Sequence, residues 1–292
     1  MVKINVLDSF ISYLDIGSGD VPVVFLHGNP TSSYLWRYVI PHVFGQARCL
    51  APDLIGMGSS GKPDIDYRFA DHARYLDTWI EELGLEQVVF VGHEWGGALG
   101  MDWAAAHPGR VRGVALVETF LRPLRSDDLR PASIGVLGRL RSPEGERMVL
   151  QDNIFLQKDL PSVPGLSNTD LAVYRAPYPT PTSRMPMLAW AREYPFDGEP
   201  ADVVRRVTEY DHWMARTPEV PKLVMAGEDS ATDLDSPELI AWAEENFAGV
   251  EVETIGPAGR CAPEYQPDAI GAAVADWIRR HTLTKPAPSQ LV

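Results

Sequence analysis

Cysteine is scarce in this 292-residue chain, with only Cys49 and Cys261 present. Two cysteines so far apart in the sequence form neither a disulfide framework nor the close ligand spacing of a metal site. We therefore expect no metal, and no motif in the chain requires a cofactor.

Positive charge is also scarce, since 26 Lys and Arg stand against 40 Asp and Glu, for a net charge of −14. This balance argues against nucleic acid and against an anionic membrane surface as partners. The first residues, "MVKINVLDSF", lack the long apolar core of a signal peptide, and no apolar run is long enough to span a bilayer. We expect a cytoplasmic protein, a monomer or a homodimer, whose partner is a small apolar molecule.

Short apolar runs alternate with helical patterns along most of the chain. This alternation predicts an α/β fold with a mostly parallel sheet, because strands buried on both faces are continuously apolar. In "DSPELIAWAEENF", Ser236 is expected to cap a helix and Pro237 to occupy its first turn. The predicted strands are 22–28, 47–54, 87–93, 111–119 and 221–227, and the clearest helices are 71–85, 235–247 and 267–281.

The alternation stops between residues 121 and 211, which are rich in proline and in helix-like pieces without strand runs. We predict that 121–211, called the insertion below, is a helical cap. Residues 1–120 and 212–283 are predicted to form one α/β core, and 284–292 a flexible tail.

The stretch "VGHEWGGALG", residues 91–100, is typical of a strand, a sharp turn and a helix. Such an elbow exposes its central side chain above the sheet, and here that residue is Glu94. The backbone N–H of Trp95, at the start of the helix, can donate a hydrogen bond to an atom that develops negative charge. A second donor is expected from "HGNP", which contains Asn29.

Four segments together resemble the haloalkane dehalogenase family of α/β-hydrolases: "FLHGNPTSSYLWR", "APDLIGMGSSGKP", "VGHEWGG" and "LQDNIFLQKDLP". In that family an elbow aspartate attacks the halogenated carbon, and a histidine near the C-terminus activates water to cleave the resulting ester. The resemblance implies that Asn29 and Trp95 bind the leaving group, that Phe155 contacts substrate, and that Glu118 is the orienting acid.

Two positions depart from the family pattern. Glu94 stands where the nucleophilic aspartate belongs, and the segment "AGRCAPEYQPD" (258–268) places Arg260 where the histidine belongs. Arginine remains protonated, so it cannot take a proton from water. We consider Glu94, Glu118 and Arg260 the candidate catalytic residues. A buried ion pair between Arg260 and Glu118 is an equally good explanation of why an arginine stands at position 260. His27 and His93 are expected to be structural, and His212 is a weak candidate for the site.

Three interpretations of the function remain open. In the first, the protein is an enzyme with altered chemistry, in which Glu94 acts as a general base for epoxide opening, elimination or ring closure. In the second, it binds a small apolar ligand without catalysis. In the third, it is a haloalkane dehalogenase that uses a base not identified in the sequence.

Overall fold

A computed structural model describes residues 1–228 and 232–286. In this part of the chain, eight strands form one sheet in the order β1-β2-β4-β3-β5-β6-β7-β8. β1 and β2 run antiparallel to their neighbours, and the other pairs are parallel. The strands are β1 Val2–Val6, β2 Ser9–Ile16, β3 Val23–Leu26, β4 Cys49–Pro52, β5 Val88–His93, β6 Val111–Val117, β7 Lys222–Ala226 and β8 Val250–Thr254.

Helices pack on both faces of this sheet and make up most of the insertion. The α-helices are α1 Phe69–Glu82, α2 Trp95–Ala106, α3 Pro131–Arg141, α4 Glu144–Glu146, α5 Asn168–Arg175, α6 Met185–Arg192, α7 Ala201–Arg216, α8 Pro237–Asn246, α9 Ala262–Tyr265 and α10 Pro267–His281. The 3-10 helices are Ser33–Trp36, Ile40–His42, Ser126–Asp128, Leu160–Ser162, Thr182–Arg184 and Asp233–Asp235, and the π-helices are Arg147–Gln151 and Phe155–Asp159. Within the described residues, no helix combines the length and apolarity needed to cross a bilayer.

The parallel strands are buried on both faces, as their apolar runs predict. Alternate residues of β3 point to opposite sides, so Val24 and Leu26 join one hydrophobic cluster while Val23 and Phe25 join the other. All five predicted strands are present with slightly shorter bounds. Ser236 also caps α8 as predicted, because its hydroxyl accepts a hydrogen bond from the N–H of Leu239.

The insertion contributes no strand to the described sheet, and its last helix, α7, continues past residue 211 to Arg216. Most of the predicted tail, 287–292, lies outside the described residues. The division into core, cap and tail remains a prediction.

Ion pairs join the insertion to the α/β part of the chain. Arg37 contacts Asp170 of α5 at 3.1 Å and Glu264 of α9 at 2.6 Å. Arg68, at the start of α1, contacts Glu193 at 3.0 Å. The contacts of Asp170 and Glu193 tie α5 and the end of α6 to the α/β part of the chain.

Candidate active site

The elbow is built from a strained backbone and three glycines. Glu94 follows β5 with φ 52° and ψ −120°, a conformation that non-glycine residues rarely adopt. A Cβ atom on Gly92 would lie 2.4 Å from Cα of Gly97, and one on Gly96 would lie 2.1 Å from the carbonyl oxygen of Leu26. The glycines therefore allow helix α2 to begin directly against the sheet, and the turn projects Glu94 above it.

The carboxylate of Glu94 is held by two backbone donors. Its Oε2 accepts hydrogen bonds from the N–H of Asn29 and from the N–H of Trp95, both at 2.9 Å. The donors predicted from "HGNP" and from the start of α2 thus meet at one oxygen. Oε1 is left to meet a substrate or water.

Glu94 also has a perturbed proton affinity. Burial raises its pKa from 4.5 to about 7, against the two backbone hydrogen bonds and the charges of His93 and Arg260, which lower it. A carboxyl group with this pKa exists in both protonation states at neutral pH. Glu94 therefore has the proton affinity that a general base needs.

Asn29 and Trp95 flank this carboxylate with their side chains fixed. The Asn29 amide nitrogen donates to the carbonyl oxygen of Met187 at 3.2 Å. The Trp95 ring stacks on Trp190, with ring centroids 4.6 Å apart, and packs against Phe120 at 4.4 Å. Asn29 and Trp95 therefore lie beside Glu94, and their role as leaving-group ligands remains a prediction.

Glu118 lies at the end of β6 and makes a pair that the sequence did not predict. Its Oε2 is 3.1 Å from Nε2 of His93 and accepts a hydrogen bond from the N–H of Ala262 at 2.6 Å. The sheet register explains the first contact, because β5 and β6 pair His93 with Val117, the residue before Glu118. Parallel strands of this register are the signal that could have linked the two residues.

Arg260 does not contact Glu118, so the proposed Arg260–Glu118 ion pair is wrong. Its guanidinium lies 3.2 Å from the carboxylate of Asp159 in the insertion, and 62% of its side chain is exposed. The turn that carries it continues into Cys261, which has φ 62°. The arginine therefore extends along the mouth of the site, while the backbone after it reaches Glu118.

The other histidines differ in their surroundings. His27 has both ring nitrogens engaged, with Nδ1 near the carbonyl oxygen of Gly28 and Nε2 near the N–H of Leu54. His212 lies exposed on α7 and does not line the cavity above Glu94. His93 does line that cavity, although its place in the motif predicts a structural role.

A cavity of about 430 Å³ lies above Glu94, within the range of small-molecule sites. It brings together all six predicted site residues, which are Asn29, Glu94, Trp95, Glu118, Phe155 and Arg260. The insertion supplies most of its apolar wall, and polar groups gather at the floor and the mouth. No cluster of His, Cys, Asp and Glu in the described part of the chain could hold a metal ion. The remaining lining residues are His93, Arg130, Ala132, Ser133, Val136, Leu137, Leu140, Asp159, Trp190, Ala191, Tyr194, Thr232, Asp233, Leu234 and Cys261.

Comparison with known proteins identifies the family of this chain. A family model described as alpha/beta hydrolase fold matches residues 21–142. A haloalkane dehalogenase of Mesorhizobium japonicum is 44% identical over 94% of this chain and 90% of its own length. The haloalkane dehalogenase of Bradyrhizobium elkani has a solved structure with a TM-score of 0.91 and 42% identity, covering 96% of this chain and 98% of that one. The haloalkane dehalogenase of Agrobacterium tumefaciens C58 has a solved structure with a TM-score of 0.90 and 38% identity, covering 96% of this chain and 96% of that one. The predicted α/β-hydrolase fold is confirmed, and the chain belongs to the haloalkane dehalogenase family.

Proposed function

We propose that this protein is a cofactor-free enzyme of the family in which Glu94 acts as a proton acceptor on a small or medium apolar substrate. The observation that carries the proposal is the Glu94 carboxylate, held at one oxygen by the N–H groups of Asn29 and Trp95 and facing the cavity. Its pKa of about 7 favours proton transfer at neutral pH.

Hydrolysis of an ester on Glu94 is disfavoured by the residue at position 260. A guanidinium cannot activate water, and Arg260 contacts Asp159 rather than Glu118. The extra methylene of glutamate also displaces the carboxylate relative to aspartate by about one carbon–carbon bond. A misplacement of about 1 Å can lower a rate by about 10²-fold.

The other cavity residues fit a reaction that moves a proton and develops charge on oxygen. Burial raises the pKa of the Tyr194 hydroxyl, so this group remains protonated and can donate a hydrogen bond. We assign Arg260 and the side chains of Asn29 and Trp95 to the polarisation of a substrate oxygen or leaving group. Opening of an epoxide, elimination and ring closure all meet these requirements.

The proposal is tested with 1,2-epoxyhexane as the reactive probe, and with 1-bromohexane as a probe for attack of Glu94 on carbon. Glu94→Gln keeps the shape of the side chain and removes its basicity, so it should abolish product formation while binding persists. A single turnover in water labelled with heavy oxygen should leave Glu94 unlabelled in the wild type. The Glu245→Gln variant, on the exposed surface of α8, is the matched control and should react as the wild type does.

Two results would contradict the proposal. Label in the Glu94 side chain, or a lasting mass adduct on it, would show that Glu94 attacks carbon. Binding of both probes without any product in wild type would favour a ligand-binding protein.

A further inference from the structure

His93 and Glu118 form a buried imidazole–carboxylate pair that the proposed reaction of Glu94 does not use. Their side chains are 2% and 5% exposed, and both line the cavity above Glu94. Nε2 of His93 is 3.1 Å from Oε2 of Glu118, which the N–H of Ala262 holds in place. A carboxylate accepts here, so Nε2 of His93 carries the proton.

The other ring nitrogen of His93 is then an acceptor with nothing to accept. Nδ1 is buried and has no hydrogen-bond partner among the described residues. His27 is an informative contrast, because a backbone group engages each of its nitrogens. A structural role accounts for His27, whereas a buried acceptor left without a partner beside a cavity is unfavourable unless a proton or a ligand reaches it.

We propose that His93, oriented by Glu118, is the second proton acceptor of this site and exchanges protons with Glu94. The inference rests on the proposed function, because it concerns the fate of the proton that Glu94 removes. His93 directly precedes Glu94, both line the same cavity, and the charge on His93 is among those that lower the pKa of Glu94. The two groups are therefore electrostatically coupled.

The transfer is balanced without any further reactant. The Glu94 carboxylate takes a proton from water or substrate. The water or substrate atom that loses the proton keeps the electron pair of the broken bond. A water molecule then relays the proton from Glu94 to Nδ1 of His93, since no described residue forms a hydrogen bond with Nδ1. The carboxylate of Glu118 balances the imidazolium charge. The imidazolium returns the proton to a product oxygen or to water, and Glu94 is again a carboxylate.

Several charged or titratable groups surround this pair and affect its protonation. Asp235 interacts with Glu118 from the segment after β7, and burial raises the pKa of Asp235 to about 7. Burial also raises the pKa of the Cys261 thiol, so this neighbour stays neutral. The groups that face the pair are His27 after β3, Glu94 at the elbow, Tyr194 in the insertion, Asp235 after β7 and Cys261 before α9.

The test is a nitrogen NMR titration of protein labelled with ¹⁵N-histidine between pH 5 and 9. Through-bond correlation with Gly92 and Glu94 assigns the ring of His93 without replacing it. We expect Nδ1 of His93 to be unprotonated at pH 8. Its signal should also respond to the ionisation of the Glu94 carboxyl, whose pKa is about 7, and the Glu94→Gln variant should lose this response. In the matched control Asp268→Asn, the signal of His42 should move instead, because His42 contacts Asp268 at 3.0 Å.

A proton on Nδ1 at pH 8 would overturn the inference, as would a His93 signal that ignores both pH and the Glu94→Gln change. Because wild-type protein alone gives the tautomer, the result does not depend on how well a variant folds. The experiment is also independent of substrate. Label found on Glu94 during turnover would refute the proposed function without altering the histidine spectrum, so the two failures are distinguishable.

Discussion

The guanidinium of Arg260 lies 3.2 Å from Asp159, so this side chain reaches the insertion and not Glu118. Glu118 is occupied by His93 and by the N–H of Ala262. Glu118 therefore pairs with a histidine from the adjacent strand and not with Arg260.

This rearrangement predicts little dehalogenation by the wild type. We expect almost no bromide release from short bromoalkanes, because Arg260 cannot accept a proton. The double change Glu94→Asp with Arg260→His should raise bromide release by about 10²-fold or more, which is typical of a restored general base. Ion chromatography measures the halide, and the two single variants separate the contribution of each position. Many equivalents of bromide released by wild type would disprove the prediction.

The close approach of Gly28 to Glu94 predicts that a side chain at position 28 would displace the Glu94 carboxylate. A Cβ atom at position 28 would lie 2.5 Å from Oε2 of Glu94 and 2.6 Å from its Cβ. Gly28→Ala should therefore push the carboxylate away from its two N–H donors and lower turnover of the native or probe substrate by about 10²-fold. Gly135→Ala is the matched control, since a Cβ there meets nothing within 4 Å. It should leave turnover unchanged. Equal turnover in both variants would show that the position of the carboxylate is unimportant.

The raised pKa of Glu94 predicts a pH-dependent stability. Because the folded carboxyl has a pKa of about 7 and its ordinary value is 4.5, the folded state binds the proton more tightly. The stability that this tighter proton binding adds to the folded state is present at low pH and is lost as pH rises from 4.5 through 7. Above pH 7 the Glu94→Gln variant should thus be more stable than wild type, by about 3 kcal/mol at most. Urea unfolding at pH 5, 6, 7 and 8 measures the difference, with Glu245→Gln as control. Parallel curves for wild type and Glu94→Gln would contradict the assigned pKa.

The parts of the fold that could be predicted are those for which a short segment of the sequence carries a recognisable hydrophobic pattern. The five central strands are continuous apolar runs, and all were found. The strands β1, β2 and β8 were missed because they carry exposed and polar residues, such as Lys3 in β1 and Glu251 and Glu253 in β8.

The candidate site shows the same division. The six predicted residues meet at one cavity because each lies in a motif that fixes its position at a strand end or helix start. The partners were less predictable. Arg260 contacts Asp159, and this contact depends on the packing of the insertion. His93 contacts Glu118, and this contact depends on the register of β5 with β6. Neither is a property of a short segment of sequence.

His72 supplies a last prediction, on acid stability. Its ring is buried and stacks on Trp190 with centroids 4.0 Å apart, and burial lowers its pKa from 6.5 to about 3. The unfolded chain therefore binds a proton that the folded protein excludes, and stability is lost as pH falls from 6.5 toward 3. His72→Phe keeps a stacked ring that cannot take up a proton. The free energy of unfolding of this variant, relative to wild type, should therefore be about 2 kcal/mol higher at pH 5 than at pH 8.

Thermal unfolding at pH 5 and pH 8 measures this difference. His107 provides the control, because its ring also stacks on a tryptophan, Trp103, but reaches solvent and contacts Asp77. His107→Phe should give no comparable gain at pH 5. If the two phenylalanine variants responded alike to acid, burial of His72 would not be the cause, and the neutral ring beneath Trp190 would need another explanation.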